Sequence, residues 1–199
     1  MATTHNLSEV SRPITGRLYD YERDIHASTG AGQASALYEV PNLGTADMAH
    51  SNTATNLGID GFSGSGDWTL NIYLWTGNKS SSITVDTVEF HRITTSTGTS
   101  QASVSTSPGT VFGGVANYAY TANGDLGTFA STESLLVVLT GTSDNEHGGV
   151  SSVSYYCSST SADTDSYITT PLTGAPTPSS GSGAGTDTQD TSTGAGVRW

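Results

Sequence analysis

The first sustained hydrophobic rhythm in the chain begins at Trp68. In WTLNIYLWT, Trp68, Leu70, Ile72 and Leu74 alternate with Thr69, Asn71, Tyr73 and Trp75. This is the period of two expected of a half-buried strand, whose successive side chains leave opposite faces. After the turn GNKSSS comes ITVDTVEFHRIT, in which Ile83 and Val85 share one face while Val88, Phe90 and Arg92 share the other. The change of phase near Asp86 and Thr87 predicts a β-bulge, and the two runs together predict a hairpin.

Further strands are predicted over residues 101–107, 115–121, 134–140, 150–158 and 166–170. SLLVVLT is almost continuously apolar, as in a strand covered on both faces. In VSSVSYYC, Val153, Tyr155 and Cys157 alternate with Ser152, Ser154 and Tyr156. The turns SPGT, ANGD and SDNEHGG separate these runs. Seven or eight short strands without intervening helices predict an all-β fold, an antiparallel β-sandwich of jelly-roll type, over residues 61–171.

The flanks read differently. Within residues 1–60, Leu7, Val10, Ile14, Leu18 and Ile25 recur every three or four positions. They suggest a short amphipathic helix interrupted by Pro13 and Gly16, or an arm lying on a partner. The arm or small subdomain would include one strand-like piece at 35–40, stopped by Pro41. Residues 172–199 form a Ser/Thr/Gly/Pro-rich tail, whose composition alone predicts disorder in water.

Composition strengthens the all-β expectation. Gly is abundant at 24 residues, and Ser and Thr compete with helical hydrogen bonds. Six Lys+Arg against 18 Asp+Glu give a formal charge of −12, which disfavours both nucleic acid and anionic membranes as partners. With one cysteine, Cys157, the chain cannot close an intrachain disulfide. The N-terminus MATTHNLSEVSRPITG has neither the basic segment nor the apolar run of a signal peptide, and synthesis in a cytoplasm without export is the expectation.

Few residues offer chemistry. GFSGSG fails the G-x-S-x-G spacing because Ser65 stands where the second glycine belongs, and GAGQAS lacks the third glycine of a dinucleotide loop. The histidines His5, His26, His50, His91 and His147 are scattered. His91, mid-strand beside Phe90, reads as a cross-strand or interface residue. Asp144 and Glu146, in the turn with Asn145 and His147, are the candidate calcium ligands, although such residues also suit an ordinary turn. Asp144, Glu146 and His147 would be the only seed of a hydrolase, and no nucleophile accompanies them. The expectation is a chain that is not an enzyme and, calcium apart, needs no cofactor.

Contact residues are easier to nominate. Tyr73 and Trp75 stand two apart on the outer strand face, fit to stack on a sugar ring or to anchor a protein interface. Arg12, Arg17 and Arg23 in the arm, and Arg198 with Trp199 at the end, complete the set.

The stretches GDWTLNIYLWT, ITVDTVEFHRIT, ESLLVVLTGT and VSSVSYYCSSTSADTDSYITTP resemble the jelly-roll structural proteins of tailed-virus particles, the head-decoration and tail proteins. That resemblance implies a non-catalytic capsid or tail component, located in the virion and made in the host cytoplasm. It would contact itself and other virion proteins as a trimer or larger ring. The alternative expectation is a carbohydrate-binding, host-recognition module.

Overall fold

The computed structural model describes residues 3–11, 21–25, 34–40, 45–76, 83–112, 115–143, 151–158 and 166–171, and for 3–11, 21–25, 34–40 and 151–158 it describes the backbone alone. The strands are β1 (Thr3–Ser11), β2 (Tyr21–Ile25), β3 (Ala34–Val40), β4 (Thr45–Thr53), β5 (Ser63–Thr76), β6 (Ile83–Thr94), β7 (Ser100–Thr106), β8 (Thr110–Phe112), β9 (Val115–Thr128), β10 (Glu133–Ser143), β11 (Ser151–Ser158) and β12 (Tyr167–Thr170). A single turn of helix, α1 (Ala54–Leu57), follows β4. The expected all-β class is the one found.

Pairing runs in the order β3-β11-β5-β12-β1-β2-β4-β10-β6-β7, with β9 also on β5 and β8 also on β6. Strand β1 is the seam. Residues 3–6 pair with β12, and from Leu7 onward the strand turns to β2. Two groups of strands therefore form, one around β5 and one around β10. The pairings are antiparallel among the described residues except that of β2 with β4.

The two groups bury their apolar faces in a common core. Trp68, Leu70, Ile72 and Leu74 of β5 meet Val88 and Phe90 of β6 and Leu135, Val137 and Leu139 of β10. Trp68 is wholly buried, with its ring 6.1 Å from Phe90 and 6.2 Å from Phe129. Strand β10 is buried on both faces, as its apolar run predicts: Leu136 and Val138 join Ala49 and Ile93 in a second cluster on the face away from the main core.

Three expectations are corrected here. Strands β5 and β6 do not form a hairpin: β5 pairs with β9, β11 and β12, and β6 with β10, β7 and β8. Their apolar rows satisfy each other across the core, through Trp68 and Phe90, and not edge to edge. The bulge is where the phase change placed it, since Thr140 opposes Thr87 and Gly141 opposes Val85, leaving Asp86 as the extra residue. Its effect, however, is to bring Ile83 and Val85 onto the same core face as Val88 and Phe90.

The third correction concerns residues 1–60. The described part contains strands where a helix or arm was expected, and β4 pairs along nine residues with the central strand β10. Met48 at 2% exposure and Ala49 at 0% show that β4 is covered on both sides. The tail 172–199 lies outside the described residues.

Candidate functional site

Strand β6 has two chemically different faces. Beyond the bulge, Val88, Phe90 and Arg92 point to the core, while Glu89, His91 and Ile93 form the outer row. Across from that row, Val138 opposes Glu89 and Leu136 opposes His91 on β10. The polar pair Glu89–His91 thus sits beside an apolar floor of Leu136 and Val138, both at most 2% exposed.

The other neighbour is β7, and here the ladder slips. Arg92 opposes Ala102, but Ile93 opposes Ser100, so Gln101 is an extra residue. In an unbroken ladder Gln101 would stand opposite Ile93. The bulge instead presents Ser100 on the outer face, diagonal to His91, in keeping with the way bulges re-aim single side chains.

Three side chains consequently converge. The His91 ring places Nδ1 3.2 Å from the Ser100 hydroxyl and Nε2 3.3 Å from Glu89 Oε2. The His91 side chain is 13% exposed, whereas that of Glu89 is 38% exposed and Ser100 faces solvent. In the neutral tautomer with hydrogen on Nε2, Glu89 accepts from the ring and Nδ1 accepts from the serine O–H. A base oriented by a carboxylate and touching a hydroxyl is the general signature of an activated nucleophile. The Ser100 hydroxyl also lies 3.4 Å from the Ala102 carbonyl, a longer contact.

The core face of the same strand carries a second polar group with a different character. Arg92 Nε donates to the Leu126 carbonyl at 2.6 Å and Nη1 donates to Glu133 Oε1 at 2.7 Å. The Ala130 N–H donates to Glu133 Oε2 at 2.7 Å. This group fastens the β9–β10 connection to β6. Gly127, with φ +73°, passes so close that an added Cβ would lie 3.4 Å from the guanidinium. Arg92 and Glu133 are held by mutual bonds, which suits a clasp better than a reacting site.

Of the other nominated residues, Tyr73 is the one whose side chain is described. Tyr73 lies half-buried on the outer face of β5, its N–H donating to the Ser166 hydroxyl at 3.0 Å. Trp75 belongs to the same strand, where its backbone pairs opposite Ser154 and Val115; its side chain is outside the described residues. Arg23 lies in β2, opposite His50 in the parallel pairing. Arg12, Arg17, Arg198, Trp199 and the calcium candidates Asp144 and Glu146 all lie outside the described residues. Among the described residues, no three His, Cys, Asp or Glu side chains are grouped to hold a metal ion.

Sequence reasoning missed Ser100 and Glu89. A signal existed in the E-F-H triplet, which puts an acid and an imidazole on one strand face. The serine partner depended on a bulge in another strand, which the local pattern does not announce.

No protein-family model matches the chain, and no curated protein matches it in sequence. Solved structures share its architecture. A CocE/NonD family hydrolase from Staphylococcus aureus superposes with a TM-score of 0.53 at 9% identity, covering 87% of this chain and 37% of the hydrolase. An aminopeptidase from the marine sediment archaeon Thaumarchaeota archaeon gives a TM-score of 0.56 at 9% identity, again with 87% and 37% coverage. The chain therefore spans about 37% of the length of each enzyme, and at this identity the likeness is one of fold.

These neighbours correct the functional expectation. The expectation is a non-catalytic capsid-decoration or tail protein, with a carbohydrate-binding module as its alternative and an enzyme in neither case, yet the similar architectures belong to hydrolases. The virion reading rested on alternating strands with a Ser/Thr-rich texture. That texture reports a solvated β surface, whatever the surface is for.

Proposed function

We propose that this chain is the all-β unit of a hydrolase acting on an ester or amide bond. The observation that carries the reading is the shared fold: 87% of the chain superposes on part of a CocE/NonD family hydrolase and on part of an aminopeptidase. In this reading the unit is a β-sandwich, with the β5 and β10 groups of strands facing each other across the Trp68–Phe90 core. The match covers 37% of each enzyme, so their whole activities do not transfer to this chain. Hydrolysis is the part carried into the proposal, because both names describe it and one names a peptidase.

A substrate panel tests the reading. The purified full chain is incubated with p-nitrophenyl esters of short and medium acyl length and with aminoacyl p-nitroanilides. Release of nitrophenol or nitroaniline above the buffer rate is expected for at least one of the two classes. Release at the buffer rate throughout both classes would contradict it.

A further inference from the structure

We propose that Ser100, His91 and Glu89 form a nucleophilic relay on the outer face of the β6–β7 pair, and that it cleaves acyl esters. The proposal rests on the hydrolase reading and specifies a site for it. Three observations carry the assignment. The imidazole bridges a hydroxyl at 3.2 Å and a carboxylate at 3.3 Å, one on each ring nitrogen. The ring is mostly shielded while the hydroxyl is open to solvent, which exposes the nucleophile and protects the base. The bulge at Arg92–Ile93 is what brings Ser100, and not Gln101, opposite Ile93.

Roles follow from the atoms. Ser100 Oγ attacks the ester carbonyl carbon as its proton passes to His91 Nδ1, and Glu89 steadies the imidazolium through Nε2–H. Collapse of the tetrahedral species breaks the acyl–oxygen bond, and Nδ1 returns the proton to the departing alcohol. Water then attacks the acyl–serine ester, giving its proton to Nδ1. Departure of the carboxylic acid returns that proton to Ser100. The balance is ester plus water to acid plus alcohol, and no other reactant is needed.

The position of the relay also restricts its substrate. Leu136 and Val138 beside it are buried and offer no open surface, so the approach is from the side of edge strand β7, where Ser100 is exposed, and a compact acyl group suits it best. Glu89 acts through the imidazole and is a positioning residue.

The test is covalent labelling of the full chain with a fluorophosphonate probe, located by peptide mass spectrometry, together with p-nitrophenyl acetate kinetics. Labelling is expected on Ser100, absent in Ser100→Ala and retained in Ser103→Ala, which alters the exposed serine opposite His91. His91→Gln should slow labelling about 100-fold or more, the usual contribution of a positioned base. Glu89→Gln should lower kcat with KM unchanged, and Glu89→Asp should recover part of the loss. Circular dichroism verifies that each variant is folded. No label on Ser100, or labelling undiminished by His91→Gln, would overturn the relay. Ester hydrolysis that persists unchanged in Ser100→Ala would overturn the relay while leaving the hydrolase reading intact.

Discussion

Arg92 Nη1 donates to Glu133 Oε1 at 2.7 Å, joining the middle of the fold to the first residue of β10. Both side chains are largely enclosed, at 21% and 11% exposure, and breaking such a pair leaves one charge poorly solvated. Arg92→Ala is expected to cost about 2–4 kcal/mol, since losing one partner of an enclosed pair is worse than losing both. The measurement is urea unfolding, with a lower midpoint and an unchanged slope. A midpoint equal to wild type would show that the clasp adds nothing.

Gly124 and Val104 give a prediction about packing between β9 and β7. A Cβ placed on Gly124 would lie 2.5 Å from Val104 Cγ1, closer than real atoms come. Gly124→Ala should destabilise by about 1–3 kcal/mol through overpacking. Combining it with Val104→Ala should cost less than the two single changes added together, because the second change removes the obstacle to the first. Strict additivity in a denaturation cycle would contradict the contact.

Alkaline stability depends on Tyr120. Burial holds its phenol well above the ordinary tyrosine value; the nearby Thr110 side chain opposes that rise, though it makes no properly aligned hydrogen bond to the hydroxyl. The adjacent Tyr118, stacked on it at 5.9 Å, is shifted upward by burial as well. A raised folded-state value means that the native protein retains a proton which the unfolded chain releases at about pH 10. The resulting stability is complete below about pH 10 and falls as pH climbs toward the raised value. Tyr120→Phe should flatten that loss while costing little at neutral pH, since it removes a hydroxyl without a partner. Parallel stability–pH curves for the two proteins above pH 10 would argue against the assignment.

The all-β class was legible because long strands print their period on the sequence: β5 has Trp68, Leu70, Ile72 and Leu74 inward, and β10 is apolar on both faces. Strand β4 was not legible. Its sequence TADMAHSNT fills a doubly covered position with Ala, Ser and Met, and small side chains carry little hydrophobic contrast. The partner of each strand was also hidden, because β5 and β6 are neighbours in sequence yet meet face to face through Trp68 and Phe90. Pairing depends on distant residues, and a local period cannot encode it.

The candidate site shows the same division. Glu89 and His91 share a face by simple alternation, and a close reading of E-F-H finds them. Ser100 arrives only because β7 slips by one residue at Gln101. The shift comes from register with β6, so the sequence around Ser100 gives no sign of it.

Steady-state hydrolysis of p-nitrophenyl acetate by the purified chain, compared with the same sample unfolded in urea and diluted into identical assay buffer before it can refold, tests the hydrolase account most directly. The account predicts many product molecules per protein molecule from the folded chain and loss of that turnover on unfolding. Equal rates in both samples, or product limited to one equivalent per chain, with this ester and with an aminoacyl p-nitroanilide alike, would contradict it.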